Sequence, residues 1–198
     1  MQRHRGKLFL SPPKLFKSEV ALYFPNMQGY TLANSSGMED TTSVFKGKTS
    51  IVSVFTGLWA ENQTKTFVEN PELRETVREL SKNNLQMVWV NIEADWMRAG
   101  LVRLFLGGLR KRLGKEEWGR YFVVRRGVEE EVKQDIAMVN SKVGYVYLVD
   151  EKCRIRWAGS GDAGPGEAEG LLRSVSRLAG ATQTGKVLDE VRDTQGFK

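Results

Sequence analysis

Hydrophobic and polar positions follow one another along this chain in blocks that predict a mixed series of strands and helices. The runs from Ile51 to Phe55 and from Leu85 to Ile92 are mostly apolar, which is typical of central strands covered on both faces. Residues Gly144 to Val149 and Arg154 to Ala158 alternate between two faces on either side of a short turn, as in a β-hairpin. A further short strand is predicted from Tyr121 to Arg125.

Helices are predicted between these strands and after the last of them. Asn70 and Pro71 have the sequence of a helix cap followed by proline at the first helical position. The predicted helical segments are the stretch that follows Gly57, residues 71 to 83, residues 95 to 115, residues 128 to 139 and residues 171 to 180. Because parallel strands need helical crossovers whereas the last pair closes as a hairpin, this order predicts an α/β fold. Its expected form is a three-layer sandwich, with flanking helices around a central mixed sheet that ends in a C-terminal β-hairpin.

The chain of 198 residues is expected to form one domain with an arm and a tail. Residues 1 to 28 are predicted to be a basic extended arm, residues 29 to 180 the domain, and residues 181 to 198 a polar tail. The opening MQRHRGKLFL is basic and acid-free, but it lacks the apolar region of a secretory signal and the length of a transit peptide. We expect that a presequence has been trimmed and a start Met supplied.

The net charge of +6 permits an anionic partner, but the counts of cysteine and histidine exclude several chemistries. Cys153 is the only cysteine and His4 the only histidine, so the sequence cannot form a CxxC pair, an intrachain disulfide or a cysteine-based zinc site. A buried Ser-His-Asp relay is excluded on the same grounds. We therefore expect no cofactor and no metal.

The segment from Gly29 to Gln63 resembles the opening of thioredoxin-like and peroxiredoxin-like domains. Its order is a short β element, Phe45 to Lys48, a buried strand, and a loop that enters a helix. In those enzymes this loop carries the reactive cysteine, whose thiolate the helix N-terminus stabilises. Here the loop reads GLWAENQ from Gly57 to Gln63, so the resemblance implies the fold without the redox site.

Three strings make the resemblance more specific: ALYFPN from Ala21 to Asn26, WAENQT from Trp59 to Thr64, and RIRWAGSG from Arg154 to Gly161. Together they resemble the mitochondrial ATP synthase assembly-factor family called ATPase assembly protein ten. The resemblance implies a chaperone, not an enzyme, on the matrix side of the inner membrane. It also implies that the chain binds newly made subunit a, called subunit six in fungi, and promotes its joining to the rotor ring.

Two groups of residues are candidates for partner contact. The first lies at the former redox loop and in the hairpin, and it consists of Trp59, Glu61, Asn62, Gln63 and Trp157. The alternative for Trp59 is a place in the core beneath the loop. The second lies in the acid-free segment 98 to 115, where Arg98, Arg103, Arg110 and Lys111 could contact anionic inner-membrane lipid. The alternative there is a core helix with a solvated basic edge.

Rival functions are a one-cysteine peroxiredoxin that uses Cys153, and an RNA-binding module of mitochondrial gene expression. A peroxidatic cysteine belongs near Gly57, and Cys153 lies far downstream in the hairpin. The sequence has no recognisable RNA-reading motif, so we expect no nucleic-acid partner. A metallochaperone of the same fold would need CxxxC ligands, which the sequence lacks.

Overall fold

The computed structural model describes residues 6–81, 84–92, 107–124 and 130–180. The described residues form a mixed seven-stranded sheet with helices on both faces. The strands are β1 (Gln28–Thr31), β2 (Glu39–Asp40), β3 (Thr49–Phe55), β4 (Leu85–Ile92), β5 (Tyr121–Val124), β6 (Tyr145–Val149) and β7 (Ile155–Ser160). Their order across the sheet is β2-β1-β5-β4-β3-β6-β7. The predicted thioredoxin-like α/β architecture is confirmed.

Parallel pairing holds the centre of the sheet and antiparallel pairing holds its flanks. Strand β3 pairs in parallel with β4, and β4 pairs in parallel with β5. Strands β6 and β7 form the predicted antiparallel hairpin, and β6 joins β3. All seven residues of β3 are buried, because both of its faces are covered.

Helices precede and follow the strands. They are α1 (Thr41–Phe45), α2 (Gly57–Val68), α3 (Pro71–Leu80), α4 (residues 107–112), the 3₁₀ helix Lys115–Arg120, α5 (Glu130–Asp135) and α6 (residues 167–180). The cap predicted at the start of α3 forms, because the Asn70 side chain accepts hydrogen bonds from the backbone amides of Glu72 and Leu73. The sequence pattern did not predict α1 or the two-residue strand β2.

The core has a layer on each face of the sheet. One layer packs Val52, Val90 and Tyr147 against the end of the arm, α1 and the residues that follow α5. The other packs Ile51 and Leu148 against side chains of α2, α3 and α6. A smaller cluster joins Phe55 and Tyr121 to side chains at the end of α4 and in the 3₁₀ helix. The start of α2 lies beside this third cluster, since Ala60 belongs to it.

The arm runs along the outer edge of β7 rather than away from the domain. The Phe16 amide donates to the Arg156 carbonyl (2.7 Å), and the Phe24 amide donates to the Cys153 carbonyl (2.8 Å). Between them, the Ile155 amide donates to the Leu22 carbonyl (2.7 Å). The arm therefore satisfies backbone groups that an edge strand would otherwise present to solvent.

Candidate functional site

The turn from β3 into α2 brings two large apolar side chains to the surface. Gly57 opens the helix with φ +78°, a left-handed conformation that glycine adopts without strain. Leu58 and Trp59 follow in the first turn, and they are 66% and 56% exposed. These two side chains are called the loop patch below. The alternative that Trp59 fills the core is wrong, because more than half of its surface is open to solvent.

The loop before β6 fixes the position of this turn. The Thr56 hydroxyl donates to the Ser141 carbonyl, and the Gly144 amide donates to the Gln63 side-chain oxygen (2.9 Å). A Cβ atom added at Gly144 would lie 2.1 Å from the Ala60 carbonyl oxygen, so only glycine allows this approach. The loop patch thus lies on a rigid support.

The arm passes the loop patch at its N-terminal end. A Cβ atom added at Gly6 would lie 3.1 Å from the outer edge of the Trp59 indole. The next residue, Lys7, forms an ion pair with Glu167 and donates to the Asp162 carbonyl (3.1 Å). The arm therefore borders the patch on one side and leaves most of the indole exposed.

Glu61 and Asn62 lie in the next turn of α2, after the loop patch. Glu61 forms ion pairs with Lys65 (3.0 Å) and with Arg112 (3.3 Å), so its carboxylate is directed toward α4. Asn62 is exposed, and its side-chain oxygen accepts from the Lys65 ammonium group (3.3 Å). Both residues are near the loop patch in sequence, but Glu61 is already engaged in intramolecular pairs.

Gln63 and Trp157 do not lie on the surface with the loop patch. Gln63 is buried, and its side-chain oxygen supports Gly144 as described above. Trp157 is fully buried in the core layer beneath α2 and α6, where its indole meets the Phe67 ring edge-on and its N–H donates to the Pro12 carbonyl (3.0 Å). Their side chains hold the fold together, and neither is accessible to a partner in this structure.

The basic segment is only partly within the described residues. Arg98 and Arg103 lie outside them. Arg110 donates twice to the Leu32 carbonyl, at 3.1 and 2.6 Å, and its guanidinium carbon lies 5.3 Å from the centre of the Trp118 ring. Lys111 is exposed. Arg110 therefore packs α4 against the residue that follows β1, and its guanidinium is not free for the lipid contact that the sequence predicts.

Cys153 lies in the hairpin turn, away from the loop that carries the reactive cysteine in redox relatives. Burial raises the pKa of its thiol, and the nearby negative charge of Asp150 raises it further. The thiolate is the reactive form of cysteine, so these surroundings oppose nucleophilic chemistry at neutral pH. The described residues also contain no cluster of three or more histidine, cysteine, aspartate or glutamate side chains that could hold a metal ion.

The sequence pattern did not identify Leu58 as a site residue. An apolar side chain between Gly57 and Trp59, at the point where a buried strand ends, was the available signal for an exposed apolar group. Val139 is a second omission: it is 84% exposed and lies two residues before Ser141, which contacts the turn into α2. No local sequence pattern distinguishes it from a core valine.

The family model and the curated relatives that match this chain carry the same family name. The family model described as ATP10 protein matches residues 1–178. The protein of Eremothecium gossypii named mitochondrial ATPase complex subunit ATP10 is 32% identical over 176 residues, covering 88% of this chain and 63% of that protein. Its namesake from Saccharomyces cerevisiae is 30% identical over 191 residues, covering 89% of this chain and 67% of that protein. The chain thus spans about two thirds of the length of these relatives.

Solved structures share the fold at low sequence identity. A DsbF homologue from Corynebacterium diphtheriae superposes with a TM-score of 0.55 at 10% identity, covering 90% of this chain and 99% of that chain. A thiol:disulfide interchange protein DsbE from Chlorobium tepidum has a TM-score of 0.53 at 14% identity, covering 80% and 96%. At such identities the likeness establishes the thioredoxin-like fold and nothing about chemistry.

Proposed function

This chain belongs to the ATP10 protein family, and on that premise we propose that it is a non-enzymatic assembly factor of the mitochondrial F-type ATP synthase. The relatives named mitochondrial ATPase complex subunit support both the complex and the compartment. In the proposal the protein works on the matrix side of the inner membrane. Within the described residues, no helix has the length and apolar composition needed to cross a bilayer.

The proposed client is newly made subunit a, which the protein holds and helps to join to the rotor ring. The observation that carries this proposal is the loop patch, where Leu58 and Trp59 are exposed at the start of α2. Large apolar side chains on a rigid support suit capture of an apolar segment, since aromatic anchors dominate binding energy at protein interfaces. Glu61 and Asn62 lie beside the patch and are the proposed polar rim.

The geometry favours binding over redox chemistry at the same place. A thioredoxin-type reaction needs a thiolate at the start of α2, and residues 57 to 63 contain no cysteine. The one thiol of the chain lies in the hairpin turn with its pKa raised by burial. The loop at the start of α2 is therefore still accessible, but it presents an indole where thioredoxin-like enzymes have a reactive cysteine.

Photo-crosslinking tests the client and the surface together. A photoreactive amino acid at position 59 should capture newly made subunit a during mitochondrial translation. The same amino acid at position 38 is the control, because Met38 is 59% exposed but lies next to β2, an edge strand four positions from β3 in the sheet. Equal capture from both positions, or capture from neither, would contradict a client site at the loop patch.

The contribution of Trp59 can be measured by truncation. Loss of an aromatic anchor commonly costs at least ~2 kcal/mol of binding, so Trp59→Ala should weaken client capture by roughly 30-fold or more. Because Trp59 is largely exposed, the melting temperature of the Trp59→Ala protein should stay within a few degrees of the parent value. Met38→Ala is the matched control and should change neither quantity. A large drop in the melting temperature of Trp59→Ala would instead assign the indole a structural role.

A further inference from the structure

The outer side of the arm exposes large apolar side chains in unusual number. Among the large hydrophobic residues exposed in the described part of the chain, six belong to the arm: Leu8, Leu10, Phe16, Val20, Leu22 and Tyr23. Val20 and Leu22 are 74% and 63% exposed and lie within a few residues of each other. Contiguous apolar groups on a surface mark an interaction site more often than scattered ones do.

Hydrogen bonds attach the arm to the domain at several points. The backbone bonds of Phe16, Leu22 and Phe24 to the β7 edge were given above. Arg156 adds a side-chain bond to the Phe16 carbonyl (2.9 Å), and Arg154 adds one to the Ser18 carbonyl (3.4 Å). These bonds hold the backbone of the arm against the domain, while Val20 and Leu22 keep most of their side-chain surface in solvent.

A cavity lies beneath the same stretch of the arm. Its volume is about 350 Å³, and its walls come from the arm, from residues 135 to 137 and from the hairpin. Phe16, Val20 and Leu22 line it on the arm side, and Tyr147 and Ala158 line it on the sheet side. A volume of this size is at the lower end of the range for small-molecule sites, ~300 to 1,000 Å³.

The walls of this cavity suit hydrocarbon rather than a peptide backbone. Among the described residues that line it, Asp135 alone carries a charged side chain. Polar groups beside it already have partners: the Tyr147 hydroxyl donates to the Ile136 carbonyl (2.7 Å), and the Leu22 carbonyl accepts from Ile155. A peptide group placed inside would lose its hydrogen bonds to water without replacement, whereas an aliphatic chain loses none.

The charge of the arm indicates the kind of surface that it meets. Lys14 and Lys17 are exposed on the same stretch, and Arg3, Arg5 and Lys7 precede them in the sequence. The first acidic residue of the chain is Glu19. Apolar side chains combined with basic ones match the interface of an anionic bilayer, which offers negative headgroups above hydrocarbon.

We propose that the outer side of the arm, from Leu8 to Tyr23, lies on an anionic phospholipid surface and that the cavity beneath it accepts one lipid acyl chain. The surface is distinct from the loop patch, so the proposal does not depend on the identity of the client. It assigns lipid contact to the arm, in place of the basic segment where Arg110 is engaged with Leu32.

Vesicle flotation of the full chain tests the bilayer contact. Binding should be strong with phosphatidylcholine vesicles that contain phosphatidylglycerol and weak with phosphatidylcholine alone. The double variant Val20→Ser/Leu22→Ser should bind at least tenfold less, whereas Met38→Ser, which removes an exposed apolar group next to β2, should bind like the parent. Lys14→Gln/Lys17→Gln should lose on the order of 30-fold, since each cation near such a surface contributes about fivefold.

The acyl-chain site needs a separate measurement. Laurate should bind the full chain in calorimetry. Ala21→Leu and Ala137→Leu fill the cavity from the arm and from the residues after α5, and each should weaken that binding at least tenfold without lowering the melting temperature. The cavity assignment is overturned if laurate does not bind, or if both filled variants bind it as tightly as the parent.

Two results would overturn the bilayer assignment. One is equal flotation of the parent and Val20→Ser/Leu22→Ser. The other is a result in which Val20 and Leu22 are needed to capture an apolar peptide of the client in detergent but are not needed for vesicle binding. This result would assign the surface to a protein partner. Loss of client capture by Trp59→Ala with vesicle binding intact separates the loop patch from the arm.

Discussion

At the scale of single residues, two tryptophans with similar sequence surroundings have opposite roles. Trp157 is fully buried and bonded to Pro12, whereas Trp59 is exposed at the start of a helix. The difference comes from position relative to the sheet: Trp157 lies in β7 beneath two helices, and Trp59 follows a strand end. An indole gains most by burial, so the exposed Trp59 is the side chain on which the proposed client contact most depends.

Gly144 gives a prediction about backbone contact. Gly144→Ala should destabilise the protein by about 1–3 kcal/mol, because the new methyl group would overlap the Ala60 carbonyl. Urea unfolding measures the change. Gly108→Ala is the matched control: no atom lies within 4 Å of its added Cβ and the residue is helical, so this variant should gain up to about 1 kcal/mol. Equal effects of the two substitutions would contradict the close approach.

Asp150 gives a prediction about pH. Burial of this carboxyl opposes its ionisation, but hydrogen bonds from Arg154 and from backbone amides outweigh burial, so its pKa is lowered. A lowered pKa in the folded state contributes stability that is present above the unfolded value of about 3.9 and is lost as pH falls through the folded value. Asp150→Asn should therefore cost about 1–3 kcal/mol at pH 7.

The stability difference between the parent and Asp150→Asn should shrink as pH falls from about 4 toward 2. Urea unfolding at several pH values provides the measurement. A difference that stays constant down to pH 2 would show that the ionised carboxylate is not what stabilises the hairpin turn.

Cys153 gives a prediction about chemistry. Its raised thiol pKa means that little thiolate exists at neutral pH, so Cys153→Ser should leave ATP synthase assembly unchanged in cells that depend on this protein. The measurement is the amount of assembled enzyme on native gels. Loss of assembly by a stably folded Cys153→Ser protein would restore the one-cysteine redox hypothesis.

At the scale of elements, one carboxylate holds the first part of the arm at its seam with the domain. Glu167, at the start of α6, pairs with Lys7 and accepts from the amides of Ser11 and Gly164, each at 2.6 Å. Burial raises the pKa of this group, but these partners outweigh burial and hold it below its ordinary value. Both the charge and the hydrogen bonds thus fix the arm close to the loop patch.

Glu167→Gln should loosen the first part of the arm without unfolding the domain. The expected result is faster trypsin cleavage after Lys7 and Lys14, because the ion pair that holds Lys7 is removed. The control is Glu75→Gln, which removes an exposed ion pair with Arg78 and should leave cleavage of the arm unchanged. Identical digestion of both variants would show that the remaining contacts suffice to hold the arm.

Sequence patterns predicted the elements whose signals are local. The strands β3 and β4, the hairpin and the Asn70 cap all depend on neighbours within a few residues, and they form as expected. Helix α1 was missed because five residues are too few to show periodicity. The burial of Gln63 and the orientation of Arg110 could not be predicted, since their partners Gly144 and Leu32 lie 81 and 78 residues away.

At the scale of the whole molecule, the sheet has two unequal edges. Strand β2 ends one side with only two residues, which offers little backbone for pairing with another chain. Strand β7 ends the other side with six residues, and the arm covers it. The arm is thus an integral part of the domain's protection against edge-to-edge association, in addition to the lipid contact proposed for its outer side.

The seam has a further consequence for the order of events during synthesis. Lys7 and Glu167 are 160 residues apart, and Pro12 and Trp157 are 145 apart, so a segment made earlier in translation docks on segments made much later. Contacts of such separation form late in folding, because the intervening chain must first be ordered. Ribosome-bound chains that stop before β7 should therefore keep Lys14 and Lys17 open to trypsin, and protection should arise only once residues beyond Glu167 have emerged. Until then, the apolar groups of the arm are available to whatever receives the growing chain.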